Sequence, residues 1–320
     1  MSTIGSPMPS SAAPPRAGTR RRRPLLRRFL TTCAATVTVT AATIAIAPSA
    51  SAAEPIYFGS VAGGYENATA QSGEQLANHA YSTFSSKPPT ARMITVHAGS
   101  ASWRQVANVQ PGSALYNDIV RWAQTIKARG GHVMVAYNHE PEAAPGGYKG
   151  TAAEFIAAWR KVVGIFNAQG ATNVEWTWQM TAYAFRTSPS DARYAAKWYP
   201  GDAYVDNVGA DAYNWNTCGH GNGKQMELRT LGDPVLAFAR AHGKKASFPE
   251  FASHANSLRT QWLRNAQQYL IENQGLITAA FYFNRPPTVA ANGDCRWSLS
   301  TSAEWDAFGD IARDRTHFQP

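Results

Sequence analysis

His132-Val133-Met134-Val135-Ala136-Tyr137 is a short apolar run that breaks into Asn138-His139-Glu140-Pro141-Glu142. Lys245-Ala246-Ser247-Phe248-Pro249-Glu250-Phe251 repeats the plan further on. Each run reads as a buried parallel strand, too short and too continuous in its apolar content for a surface helix. Each also brings a glutamate, Glu140 or Glu250, to its carboxyl end.

Working outward, Ile56–Val61, Arg92–Val96, Asn173–Met180, Ala203–Ala210 and Leu276–Phe283 read as further strands. Between them lie helical patterns. In Ala114–Arg129, Leu115, Ile119, Trp122 and Ile126 share one face, and Gly130-Gly131 stops the helix. Thr151 and Glu154 have capping-box spacing and open a helix to about Ala168. Gln71–Tyr81, Asp233–Ala241, Leu258–Glu272 and Ser302–Arg313 complete the set. Strand–helix alternation over this length predicts an α/β fold with a parallel sheet, read here as a single-domain (β/α)₈ TIM barrel. Seven strands are evident, and the eighth is expected near 81–85 or within 102–109. An open doubly wound sheet is the alternative. The barrel is preferred because Glu140, Glu250, Tyr213 and Asn284 all fall at strand carboxyl ends, where a barrel converges them.

Two carboxylates on strands three apart can face one glycosidic bond from opposite sides of a barrel mouth. One then serves as acid/base (Glu140) and one as nucleophile (Glu250), which is the machinery of glycoside hydrolysis. A structural, salt-bridged carboxylate is the competing reading for either. Glu142 competes with Glu140, Asp211 could hold an arginine or a sugar hydroxyl, and Glu175, inside a strand, reads as structural.

The ends change the bulk numbers. Arg20–Arg23 and Arg27-Arg28 precede an apolar, small-residue run and Ala50-Ser51-Ala52, so residues 1–52 read as a signal peptide of the Sec or twin-arginine type. The chain has 30 Lys and Arg against 21 Asp and Glu, but seven of the basic residues and no acid lie in that leader. Residues 53–320 are therefore close to neutral, and neither nucleic acid nor a polyanion-binding surface is implied. No further apolar run is long enough to span a membrane. Cys33 belongs to the leader, which leaves Cys218 and Cys295 to form a disulfide in an exported, extracellular protein. A metal site on Cys218 and His220 lacks companion ligands, so no metal and no cofactor are expected.

Several motifs carry a family likeness: His139-Glu140, Trp198-Tyr199-Pro200-Gly201-Asp202-Ala203-Tyr204-Val205-Asp206, Gly209-Ala210-Asp211-Ala212-Tyr213-Asn214, Pro249-Glu250-Phe251 and Tyr282-Phe283-Asn284. In this order, from about Tyr57 to Arg313, the chain resembles glycoside hydrolase family 26, retaining (β/α)₈ enzymes best known as β-mannanases. The resemblance implies Glu140 as acid/base with His139 as its companion, Glu250 as nucleophile, and Tyr213 as support for that nucleophile. The chain departs from the family pattern at Ala136, where an arginine is common, in the loop from Pro141 to Gly147, and at Arg285, where a tryptophan is common.

Sugar faces are apolar and stack on aromatic rings. Trp215 and Trp297 are candidate platforms held together by the disulfide. Trp178, sharing a strand face with Trp176, is either a subsite or core, while Trp122 and Trp159 read as packing. His97 could line the mouth but reads equally as structural. The expected partner is a polysaccharide or oligosaccharide, bound by a monomer. Mannan comes first, then β-glucan or xylan. A non-catalytic carbohydrate-binding barrel is the second reading. A metal-dependent hydrolase is the third, disfavoured because Pro141 breaks the helix that a zinc motif needs.

Overall fold

The computed structural model describes residues 53–143, 149–285 and 295–320. The leader read at 1–52 lies outside the described residues. Eight parallel strands form a closed ring: β1 (Ile56–Val61), β2 (Ala77–Thr83), β3 (Met93–His97), β4 (Val133–Tyr137), β5 (Val174–Thr181), β6 (Asn207–Asn214), β7 (Lys245–Ser253) and β8 (Ile277–Tyr282). β1 pairs with β8 on one edge and β2 on the other, and that closure decides for the barrel over an open sheet. A two-residue strand, β9 (Phe318–Gln319), adds to the start of β1. Around the ring run α1 (Tyr65–Ser72), α2 (Trp103–Ala107), α3 (Ala114–Arg129), α4 (Ala152–Ala168), α5 (Leu228–Ala241), α6 (Arg259–Glu272) and α7 (Ser302–Arg313). Among the described residues, no helix is long and apolar enough to cross a membrane.

The eighth strand is β2, and it overturns the helix expected over Gln71–Tyr81. Helix α1 stops at Ser72 because Gly73 takes a left-handed conformation (φ 69°) and its N–H closes on the Thr69 carbonyl. From Ala77 onward the residues facing the barrel interior are Ala77, His79 and Tyr81, two of them polar enough to disguise the alternation. The strand expected over Ala203–Ala210 also shifts. Asp202–Tyr204 is a 3₁₀ turn, and β6 runs from Asn207 to Asn214. Gly201 adopts φ 101°, Arg160 donates to the Pro200 carbonyl (2.8 Å), and Asp206 accepts the Trp176 N–H (2.8 Å). The Trp198–Asp206 motif is thus an entry turn that sets the start of β6.

The main core lies between strands and helices, where Trp122, Trp159 and Trp262 are fully buried. Burying each large side chain contributes about 2 kcal/mol or more. A smaller cluster fills the barrel itself, including Met93, Met134, Ala279 and Phe281. Thr151 and Glu154 make the expected capping box. Arg259 of α6 and Glu304 of α7 form a buried bidentate pair (2.7 Å to each oxygen), and Arg259 also donates to the Arg296 carbonyl. That pair anchors the segment carrying Cys295 and Trp297.

Candidate active site

Past the end of β4 the backbone is forced into left-handed conformations at Asn138 (φ 56°) and Glu140 (φ 44°). Non-glycine residues adopt this region at a cost of about 1–3 kcal/mol each, and such strain collects at functional sites. Compensation comes from neighbouring strands. The Asn138 N–H donates to the Val96 carbonyl (2.9 Å) and the Glu140 N–H to that of Gln179 (3.0 Å). Glu142 turns the other way. Its Oε1 accepts both the N–H (2.7 Å) and the hydroxyl (2.6 Å) of Thr181, so it clamps the loop onto β5.

Glu250 is placed by a bulge. Gly209 pairs with Ser247 and Asp211 with Glu250, so two steps on β6 span three on β7; β8 shows the same mismatch between Phe248 and Phe251. One extra residue reverses the alternation. Ser247 and Glu250 point into the barrel, while Phe248 and Phe251 pack outward against Tyr269 and Trp262. Pro249, which has no N–H for the ladder, sits at the bulge. A Cβ on Gly209 would lie 2.9 Å from the Pro249 ring, so glycine there leaves room for it.

Both oxygens of Glu250 accept phenol hydroxyls: Tyr81 donates to Oε1 and Tyr213 to Oε2. Burial and the nearby Glu250 charge hold both phenols well above the usual tyrosine range, which keeps them as donors. Burial, followed by the charges of Glu250 and Glu142, pushes the Glu140 carboxyl up to about 8. Asp211 is raised by the same means, burial first and then Glu250 and Glu140. Gln179 Nε2 donates to both Asp211 oxygens (2.9 Å each). The Thr95 hydroxyl lies 2.8 Å from both Gln179 Oε1 and His79 Nε2, and His79 Nδ1 donates to the Pro249 carbonyl (2.9 Å). Burial pushes His79 down to about 3, so it is the neutral ring that bridges the bulge and the carboxylates.

Two adjoining pockets share Glu140, Tyr213 and Trp215. One, of about 290 Å³, adds Tyr81, His139 and Glu250. The other, of about 350 Å³, adds Thr181, Tyr183 and Asp211. Sequence reasoning therefore brings together Glu140, Glu250, His139, Tyr213 and Trp215. It missed Tyr81, because that residue lies on the strand mistaken for a helix.

Three candidates fall elsewhere. Trp178 is fully buried among Phe185, Tyr199 and Phe238 on the helix side of β5, so it is core and not a sugar platform. Asn284 is buried and spent on the fold, bonding the Gly64 carbonyl, Asn67 and the Leu299 N–H. Trp297 is 2% exposed and packs tilted against Tyr213 (4.8 Å) and edge-on against Trp215 (5.2 Å), backing both rings without presenting a face itself. The Cys218–Cys295 disulfide is formed and joins the loops carrying Trp215 and Trp297. His97 is half-buried and accepts the Gly99 N–H, and Glu175 accepts from Asn207 inside the barrel. Among the described residues, no three His, Cys, Asp or Glu side chains are grouped to hold a metal ion.

Strand-end glutamates, paired tyrosine donors and the Trp215 ring converge at one barrel mouth. The family model for glycosyl hydrolase family 26 matches residues 113–274, half of the chain. The chain belongs to glycosyl hydrolase family 26. Within the matched span lie Glu140, Asp211, Tyr213 and Glu250; Tyr81 and Arg285 lie outside it. Endoglucanase H of Acetivibrio thermocellus is 28% identical over 196 residues. That match covers 58% of this chain but a fifth of the length of Endoglucanase H. Among solved structures, a family 26 β-mannanase from Bacteroides ovatus aligns with a TM-score of 0.55 at 13% identity, covering 83% of this chain and 90% of that one. The family 26 domain of an endo-β-mannanase/endo-β-glucanase from Prevotella bryantii aligns with a TM-score of 0.52 at 12% identity, covering 82% and 90%. At such identities these two similarities speak for the fold.

Proposed function

We propose that this family 26 glycoside hydrolase is an endo-acting β-glycanase, with β-mannan as first substrate, that cleaves with retention of configuration. One observation carries the reading: Glu250, held at both oxygens by Tyr81 and Tyr213, shares a pocket with Glu140, whose carboxyl is pushed up to about 8. Glu140 is then protonated at neutral pH and able to act as an acid, while two charge-assisted hydrogen bonds aim the Glu250 carboxylate.

Glu250 attacks the anomeric carbon as Glu140 protonates the departing glycosidic oxygen, which leaves a glycosyl ester on Glu250. Glu140, now ionised, takes a proton from water, and that water cleaves the ester. The pocket containing Glu250 takes the glycone and the pocket on the Asp211 side takes the leaving sugar, with Glu140 at their junction. Room on both sides supports endo action. Trp215, half-buried and lining both pockets, stacks against the sugars at the junction, and His139 lines the glycone side. Residues 53–320 form the working domain, and loss of a leader at 1–52 delivers it outside the cell, a reading supported by the disulfide.

The relatives' names leave mannan and glucan both in play, so reducing-sugar release is measured on mannan, glucomannan, barley β-glucan, laminarin and xylan. Proton NMR of the first-formed product accompanies the best substrate. The β-anomer appearing first supports the mechanism, and the α-anomer appearing first overturns retention. If the folded protein binds the polymers without any turnover, the non-catalytic reading takes over.

A further inference from the structure

Arg285 lies in the pocket that holds Glu250, half-buried, and makes no hydrogen bond or ion pair with any described residue. Its guanidinium carbon stands 5.7 Å above the Phe283 ring. Its other flank rests against Gly63: a Cβ there would come within 2.9 Å of Arg285 Nε, and Gly63 has φ 87°. The ring and the bare glycine thus hold the side chain within the cleft, and among the described residues no acceptor takes its N–H donors. Among the described residues the hydrogen bonds to the Glu250 carboxylate come from the two phenols and not from Arg285.

On the Asp211 side of the cleft, the Arg186 side chain makes no hydrogen bond or ion pair among the described residues, whereas neighbouring Arg193 is neutralised by Asp191 (2.9 Å). Guanidiniums without an ion-pair partner among the described residues therefore stand on both sides of the reacting centre. A neutral glycan needs only hydroxyl and ring contacts. A partly desolvated, uncompensated guanidinium fork matches a planar two-oxygen anion.

Resting on the glycosidase reading but replacing neutral β-mannan with an acidic relative as substrate, we propose that the substrate is a β-linked glycan bearing carboxylates, a uronic-acid polymer or copolymer, and that Arg285 binds a carboxylate of a glycone-side sugar. Arg285 is then the residue that selects the acidic polymer over its neutral counterpart. Arg186, which is exposed, adds attraction for the same charge on the leaving side.

The test pairs β-1,4-mannotetraose with β-1,4-tetramannuronate, and cellotetraose with its C6-oxidised counterpart. Initial rates are measured on the wild type, Arg285→Met, Arg285→Lys and Arg186→Met. Affinities are measured by titration on the Glu140→Gln background, and melting curves confirm that each variant folds. The proposal expects at least one acidic ligand to be preferred over its neutral partner. In Arg285→Met that preference falls roughly ten- to hundredfold, the scale of hydrogen bonds to a charged group. Arg285→Lys restores part of it, and Arg186→Met has a smaller effect that salt abolishes.

Acidic ligands that bind no better than neutral ones overturn the proposal. So does an Arg285→Met effect of equal size on both ligands, which would make Arg285 a general counter-charge to the acidic cluster. Preferential acidic binding that depends on Arg285 but comes with no turnover would leave Arg285 assigned and remove the glycosidase reading. Brisk cleavage of neutral ligands, indifferent to Arg285, would do the reverse.

Discussion

Tyr81 and Tyr213 divide the work of holding one carboxylate, and their removal separates positioning from binding. Tyr81→Phe and Tyr213→Phe should each lower kcat roughly tenfold or more, because each takes away one charge-assisted hydrogen bond, with KM nearly unchanged. A change confined to KM would place these phenols in sugar binding instead. Glu142 supplies a second residue-level prediction. Its negative charge helps keep the Glu140 carboxyl up at about 8, so Glu142→Gln should move the basic limb of kcat/KM to lower pH. Burial also raises Glu142 itself from 4.5 to about 7. A raised carboxylate supports the fold below its unfolded value and loses that support as pH rises through the folded one. Glu142→Gln should therefore gain thermal stability over the wild type at pH 8 and not at pH 4, as melting curves in the two buffers will read. The glutamates and Tyr213 were legible in the sequence because each ends or nearly ends a recognisable strand. Tyr81 was not, because an inward row of Ala77, His79 and Tyr81 lacks the apolar alternation that marks a strand.

The element that matters most is the β7 bulge. A regular strand would turn Glu250 outward; the extra residue turns it into the barrel, and Gly209 on β6 accommodates the Pro249 ring. Gly209→Ala places a methyl 2.9 Å from Pro249 and 3.0 Å from Thr177. It should destabilise the barrel by about 1–3 kcal/mol, the usual scale for overpacking, and lower kcat as Glu250 shifts. Adding Pro249→Ala removes the colliding ring carbon, so the double variant should recover part of both losses; strictly additive losses would contradict this coupling. No sequence pattern announces a bulge, although Pro249 within an apolar strand hints at one. The same blindness explains Trp178. Alternation puts Trp176 and Trp178 on one face, and only the packing of Phe185 and Phe238 tells that the face is the helix side.

At the scale of the whole molecule, the barrel was legible from strand–helix alternation, and its closure waited on finding β2. The Cys218–Cys295 bridge spans 77 residues and ties the loop bearing Trp215 to the segment bearing Trp297. Closing a loop of that length contributes on the order of 4 kcal/mol in the chain-entropy model. Replacing both cysteines by serine should lower the melting temperature by several degrees and raise KM more than it lowers kcat, because the Trp215 platform loosens while the carboxylates stay on their strands. An unchanged melting temperature would argue against this contribution. All of these effects presuppose that Glu140 and Glu250 form the reacting pair at the barrel mouth. The most direct check is reducing-sugar release by the wild type, Glu140→Ala and Glu250→Ala on the polysaccharide the wild type cleaves fastest. Each variant, folded by its melting curve, should lose at least about a thousandfold in kcat, the scale on which removing a reacting group acts. Turnover that persists near the wild-type rate in either variant would contradict the assignment.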